Sequence, residues 1–167
     1  MDSPVALIDT HAHLQDAAFD SDREAILDRA REAGVGAVVT VGSDLAESRA
    51  AVDLARRHEG VWATVGIHPH DADQWGPGAR AELVRLASDA STVAIGEIGL
   101  DFFRNLSPPE LQRCAFQYQL GLAAELELPV VIHSREADAE MEPILTAWAE
   151  KLPRRAVQPV GVLHCFS

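Results

Sequence analysis

The segment Leu7-Ile8-Asp9-Thr10-His11-Ala12-His13 is an apolar run that ends in two histidines separated by one residue. In a β-strand alternate side chains leave the same face, so His11 and His13 point together, with Asp9 one step below them. This pattern predicts a pair of imidazole metal ligands at a strand end, with Asp9 orienting their rings through the second ring nitrogen. The competing interpretation is two half-buried histidines without a ligand, because one His-x-His pair is a weak signal.

Outward from this segment the chain repeats one pattern: a short apolar strand, a polar turn and an amphipathic helix. Predicted strand ends fall near His13, Ser43, His68, Asp101, Ser134 and Ser167, which are 25 to 33 residues apart. This spacing is typical of βαβ units, whose strands run parallel. Residues 21–24 predict a capping box at one helix start, and Asp44 with Glu47 predicts a similar start for the next helix.

Composition gives the class of protein. The 167 residues are 47% apolar and 24% charged, which is an ordinary globular composition for a single domain. No apolar run approaches the roughly 20 residues of a membrane span, and the N-terminus lacks a secretory pattern. We therefore expect a cytoplasmic protein without membrane contact. Cys114 and Cys165 lack metal-type or redox-type spacing and are expected to be reduced thiols.

The formal net charge of −12 argues against a broad basic surface for nucleic acid. It does not exclude a nuclease, because bound divalent cations can reverse the local polarity of a site.

Candidate ligands concentrate at the predicted strand ends. They are His11, His13, His68, Glu97, His133 and His164. The carboxyl ends of parallel strands are where (β/α) barrels and open parallel sheets place their active sites. Four of these imidazoles and the one carboxylate already exceed the three protein ligands of a typical catalytic zinc, so two metal ions are favoured, with Glu97 as the shared ligand. Imidazole ligands favour zinc or manganese over magnesium. Gly99 is expected to leave room for a metal or substrate atom between Glu97 and Asp101.

Five blocks together resemble one family. They are Asp9-Thr10-His11-Ala12-His13, Gly66-Ile67-His68-Pro69-His70, Gly96-Glu97-Ile98-Gly99-Leu100-Asp101, Val131-Ile132-His133-Ser134-Arg135 and His164-Cys165-Phe166-Ser167. In this order they are similar to the TatD family of metal-dependent deoxyribonucleases, within the amidohydrolase superfamily. The resemblance implies a TIM (β/α)8 barrel, one or two divalent ions (Mg, Mn or Zn) and hydrolysis of DNA phosphodiester bonds, often exonucleolytic. It implies DNA as the substrate, with single-stranded DNA among the forms considered, and no obligate protein partner is indicated.

The resemblance also implies a role for each matching residue. His11 and His13 resemble ligands of a first metal, Glu97 resembles the catalytic ligand shared by both metals, and His133 and His164 resemble ligands of the second. His68 is implied as a catalytic or phosphate-side histidine. Asp101, Arg104 and Arg135 are candidate substrate or phosphate contacts, although each arginine could instead pair with nearby acids.

The chain departs from the family pattern in length. A complete barrel needs eight strands and about 250 residues, whereas six strands are predicted in 167 residues. Residues 1–167 are therefore expected to form a single incomplete TatD-like domain, C-terminally truncated, with exposed sheet edges. No residue matches the aspartate that family members carry beyond this point. Two alternatives stay open: a hydrolase of the same superfamily acting on an amide, ester or lactone, and an inactive truncated fragment.

Overall fold

The computed structural model describes residues 7–152 and 160–165. Strands and helices alternate throughout this part of the chain. The strands are β1 (Leu7–Ala12), β2 (Val35–Val41), β3 (Val61–Val65), β4 (Thr92–Asp101), β5 (Val130–Arg135) and β6 (Gly161–His164). The helices are α1 (Arg23–Glu32), α2 (Leu45–Arg57), α3 (Pro77–Ala87), α4 (Pro109–Leu126) and α5 (Asp138–Ala149). Two short 3-10 segments, Ala17–Phe19 and Pro69–Gln74, follow β1 and β3.

The six strands form one sheet in the order β1-β2-β3-β4-β5-β6, and every neighbouring pair is parallel. A sheet whose spatial order equals its sequence order, with a helix between successive strands, is the arrangement of a (β/α) barrel. The described strands form a half-barrel, which confirms the predicted α/β class: six parallel strands and the five helices that connect them are present. The predicted sixth strand end near Ser167 lies outside the described residues.

The helix starts follow local chemistry. The Asp44 side chain caps α2 by accepting a hydrogen bond from the Glu47 backbone N–H at 2.7 Å, as predicted. At α1 the N-cap is Asp22, not Ser21, and its side chain makes no capping bond, so the predicted capping box is wrong in detail.

The core lies between the helices and the sheet, where both elements place apolar side chains. Phe116 of α4, Leu83 of α3 and Ile95 and Ile98 of β4 are fully buried. Such continuous burial is typical of parallel strands covered by helices. None of the helices in the described residues is long and apolar enough to cross a membrane.

The two outer strands differ from the inner ones in exposure. Leu7 and Ile8 of β1 are 59% and 61% exposed, and Val162 and Leu163 of β6 are 46% and 49% exposed. Each outer strand has a single hydrogen-bonded neighbour among the described strands. The expectation of exposed apolar sheet edges is confirmed for these residues.

Candidate metal centre

The first donor group joins the end of β1 to β4. One ligand atom each from His11, His13 and Glu97 lies within 4.8 Å of the others. The His11 Nε2 atom is 3.5 Å from Glu97 Oε2, which is long for a hydrogen bond. Both ring nitrogens of His11 are buried and have no hydrogen-bond partner among the described residues. Buried polar atoms without partners are costly and rare, so the His11 nitrogens fit a cation that the three donors would bind together.

The ring of His13 is oriented by the neighbouring strand. Its Nδ1 lies 3.0 Å from the backbone carbonyl of Val41 on β2, to which it can donate, leaving Nε2 with a free lone pair. The Asp9 carboxylate instead accepts from the backbone N–H of His11 at 3.1 Å. The prediction that Asp9 orients the rings is therefore wrong, because its side chain turns back onto its own strand.

The second donor group is buried and also contains Glu97. Ligand atoms of His68, Glu97 and His133 lie within 4.8 Å of one another. His133 contacts two carboxylates, through Nδ1 with Glu97 Oε1 at 2.9 Å and through Nε2 with Asp101 Oδ2 at 3.1 Å. A neutral imidazole carries one N–H and one lone pair, so only one of its two nitrogens can donate to a carboxylate while the other can bind a metal ion.

The tautomer of His68 follows from its neighbours. Its Nδ1 accepts the backbone N–H of His70 at 3.1 Å, so a neutral ring carries its proton on Nε2. Burial, which outweighs the attraction of Glu97, lowers the pKa of His68 to about 3, and the ring is neutral near pH 7. The Nε2 atom lies 4.0 Å from Glu97 Oε1. His68 in this state offers a hydrogen-bond donor toward the site.

The two carboxylates of β4 are held in their charged forms. Burial by itself raises the pKa of Glu97. The neighbouring imidazoles of His11 and His133 lower it by more than burial raises it, so the pKa lies well below its usual range. For Asp101 burial also raises the pKa, and hydrogen bonds from the Arg104 backbone N–H and from His70 and His133 produce a net lowering. An ionised carboxylate is the protonation state that metal binding needs.

His164 on β6 reaches the same site from the sheet edge. Its ring stacks on His11 with centroids 3.7 Å apart, and its Nε2 is 3.9 Å from Glu97 Oε1. The side chain is 41% exposed. Partial burial and the neighbouring His11 lower the pKa of His164, which favours the neutral form that can act as a ligand.

Three further predicted residues occupy different positions around these donors. Asp101 is fully buried, and its Oδ2 also accepts from His70 Nε2 at 2.8 Å. Arg135 places its guanidinium 4.0 Å from the centroid of the Phe103 ring. The Arg104 side chain is exposed, and neither arginine forms an ion pair with a carboxylate among the described residues.

Gly99 has a different function from the predicted one. A Cβ at this position would meet the backbone oxygen of His133 at 2.0 Å, and φ is +144°. The space is therefore filled by β5, not left open between Glu97 and Asp101. Glycine is required here because two backbones approach closely.

Sequence reasoning missed two buried glutamines of α4 that hold the strand ends. Gln119 Oε1 accepts the Ile67 backbone N–H at 2.8 Å, and its Nε2 donates to the Ile67 carbonyl at 3.0 Å. Gln112 makes the same pair of contacts with Asp101, at 2.9 and 3.2 Å. The available signal was two glutamines seven residues apart on the apolar face of the helix, where polar residues need buried partners.

Taken together, the parallel sheet and the imidazole and carboxylate donors at its carboxyl ends define a half-barrel protein with a candidate divalent-metal centre. Residues 8–167 match the sequence profile of the family described as TatD related DNase, and the chain belongs to this family.

Related proteins extend beyond the length of this chain. It is 47% identical over 161 residues to the 3'-5' ssDNA/RNA exonuclease TatD of Cronobacter sakazakii, covering 96% of this chain and 59% of that protein. The protein of the same name from Salmonella typhimurium is 40% identical, with 96% and 60% covered. The crystal structure of the TatD homologue YJJV from Escherichia coli superposes with a TM-score of 0.85 at 33% identity, covering 96% of this chain and 60% of that one. The chain thus spans about 60% of the length of the relatives it matches.

Proposed function

We propose that this chain carries the metal-binding part of a divalent-metal-dependent hydrolase that cleaves phosphodiester bonds of DNA, acting as an exonuclease on single strands. The proposal is supported by the names of its relatives, which describe them as 3'-5' ssDNA/RNA exonucleases. The observation that carries it is the group of His11, His13 and Glu97, whose buried His11 nitrogens lack partners among the described residues. RNA is a second substrate to test on the same grounds.

The donors fit one or two ions. His11, His13 and Glu97 would hold one ion, and Glu97 with His133 and His164 would hold a second, as the family resemblance implies. Imidazole-rich donor sets favour zinc or manganese, with magnesium as the third candidate. Such ions, when bound, lower the pKa of water and stabilise negative charge on a phosphate.

His68 contributes a proton donor to this site. Because the Nδ1 atom of His68 accepts the His70 N–H, its proton is on Nε2, which lies on the side of the ring that faces Glu97. A neutral donor next to ionised Glu97 can hydrogen-bond to a phosphate oxygen or to the attacking water. This assignment agrees with the phosphate-side role that the sequence predicts for His68.

Asp101 has a positioning role in this proposal. Its Oδ2 accepts from both His70 and His133 while the residue is completely buried. A carboxylate that holds a ligand histidine fixes the ring orientation and strengthens the ligand. We therefore propose that Asp101 orients the ring of His133 and does not contact the substrate. The exposed Arg104 stays the candidate phosphate contact.

The acidic character of the chain restricts how nucleic acid binds. At a net charge of −12 the protein as a whole repels a polyanion. Affinity must therefore come from local features: bound cations, the few arginines at the strand ends, and uncharged contacts with bases. The cytoplasmic location and the single-domain boundary at residues 1–167 stay predictions from the sequence.

The decisive experiment combines metal content with nuclease activity on one preparation. Wild type, Glu97→Ala and the exposed control Glu32→Ala are stripped with chelator, titrated with Zn²⁺, Mn²⁺ or Mg²⁺, and incubated with single-stranded and duplex DNA and with RNA. We expect Glu97→Ala to weaken metal binding by more than about 100-fold, since loss of an outer-shell partner alone costs about 10- to 100-fold. Cleavage should disappear with it, while Glu32→Ala matches wild type.

The other outcomes identify the alternatives. A metal-loaded protein that cleaves no nucleic acid but hydrolyses an ester, lactone or amide would be a different superfamily hydrolase. Metal binding without any hydrolysis would define an inactive fragment, and absence of metal binding would overturn the proposal.

A further inference from the structure

An exposed aromatic ring follows the strand end that carries Asp101. Phe103 follows the carboxyl end of β4 by two residues and is 55% exposed. The guanidinium of Arg135, at the carboxyl end of β5, lies 4.0 Å from the centroid of this ring. A cation over an aromatic ring is attracted by its negative face and holds the ring in place.

The loop that carries Phe103 is fixed to the site. The Arg104 backbone N–H donates to Asp101 Oδ1 at 2.7 Å, and Ser107 Oγ donates to the His70 carbonyl at 2.7 Å. On the other side of Phe103, the Phe102 backbone N–H donates to the Arg135 carbonyl at 3.0 Å, so the loop is anchored before and after this residue. An aromatic ring on such a loop is positioned before any ligand arrives, which reduces the entropy lost on binding.

The charge of the protein favours stacking as a source of affinity. Proteins that bind single strands combine basic surface with aromatic side chains on which bases stack. Here the basic contribution is small, because the chain carries a net charge of −12. Stacking does not require net positive charge, and every base offers a π-face, so an exposed ring supplies affinity where Coulomb attraction is weak.

We propose that Phe103, supported by Arg135, is a stacking site for one unpaired nucleobase of a single-stranded substrate. This inference rests on the proposed function and adds the residue that distinguishes unpaired from paired substrates. A base within a duplex already stacks on its neighbours and cannot present a face to Phe103 without being extruded.

The test removes the two stacking partners separately and together. Binding of single-stranded oligonucleotides is measured for the full chain, both metal-loaded and in chelator, with one abasic residue moved through the sequence. Phe103→Ala should weaken binding of the intact strand by about 5- to 100-fold, the range typical of one base–aromatic stack. At one abasic position, wild type should bind as weakly as Phe103→Ala, and the substitution should have no further effect there.

Two variants separate stacking from apolar contact and from loop structure. Leu106→Ala removes a side chain of the same loop that is 63% exposed, and it should bind like wild type. Phe103→Trp keeps an aromatic face and should retain binding. The fluorescence of a 2-aminopurine at the sensitive position should change on binding to wild type and to Phe103→Trp, and not on binding to Phe103→Ala.

The failure of this inference is distinct from the failure of the nuclease proposal. Equal effects of Phe103→Ala at every abasic position, or equal loss in Leu106→Ala, would overturn the stacking site even if wild type cleaves DNA. The wild-type fluorescence change of 2-aminopurine on binding to Phe103→Ala would overturn it as well. If wild type binds no oligonucleotide with or without metal, both the stacking site and the proposed function are overturned.

Discussion

The inner strands β3–β5 and the outer strands β1 and β6 both place imidazole donors at the site, but these donors differ in burial and in hydrogen-bond partners. On the inner strands His133 contacts two carboxylates and His68 accepts a backbone N–H, and both residues are buried. On the outer strands the nitrogens of His11 have no hydrogen-bond partner among the described residues, and the His164 side chain is 41% exposed. The donors of the inner strands are therefore positioned by this part of the chain, whereas those of the outer strands depend more on what they bind.

The same contrast applies to packing, and it gives the largest expected effect on stability. Ile95 on β4 is completely buried, whereas Leu163 on β6 is 49% exposed. Ile95→Ala should lower the free energy of unfolding by about 2–5 kcal/mol, because it removes buried methyl groups and leaves a cavity. Leu163→Ala should change it by less than about 0.5 kcal/mol. Urea denaturation of both variants measures the difference, and equal losses would show that β6 is packed as well as β4.

A second test concerns how the inner strand ends are held. Gln119 satisfies both backbone groups of Ile67, just before His68. Gln119→Leu should lower the free energy of unfolding by about 1–3 kcal/mol, because a buried N–H and carbonyl lose their partner. Gln117 lies on the same helix and is exposed, so Gln117→Leu serves as the control. If thermal melts show equal stability for the two variants, water or a backbone shift replaces the amide.

A third test separates two aspartates by what they contact. Asp101 orients the imidazoles of His70 and His133, whereas Asp9 contacts the backbone of His11. Asp101→Ala should weaken metal affinity by about 10- to 100-fold, as is typical for an outer-shell partner. Asp9→Ala should weaken it by a few-fold at most. Calorimetric titration with Zn²⁺ checks both values, and the reverse order would restore the role that the sequence predicts for Asp9.

Sequence reasoning identified the features that depend on local order. Strand ends are readable because apolar runs, turns and helix caps such as Asp44 follow one another in a fixed pattern. The meeting of Glu97 with His133 follows because carboxyl ends of parallel strands share one edge. These rules require no knowledge of register.

Features that depend on register or on a side-chain rotamer could not be predicted. The ring of His13 contacts the Val41 carbonyl because β1 and β2 pair with Ala12 opposite Thr40, and no pattern within β1 indicates this. The close approach of β5 to β4, which leaves no free space at Gly99, is likewise a property of the strand pair and not of either strand alone. Arg135 was predicted as a phosphate contact or an ion-pair partner, and the structure pairs it with Phe103 because their two strand ends are adjacent.

The two glutamines of α4 also relate the spacing of two strand ends to the geometry of the helix. Gln112 and Gln119 are seven residues apart, so they lie on one face and are separated by about 10.5 Å along the helix axis. Each reaches the backbone of a different strand end, at Asp101 and at Ile67. The rise per residue of an α-helix is nearly constant. The spacing of the two glutamines therefore constrains the distance between the end of β3 and the end of β4. One residue inserted between the two glutamines would turn the second by about 100° and disengage it.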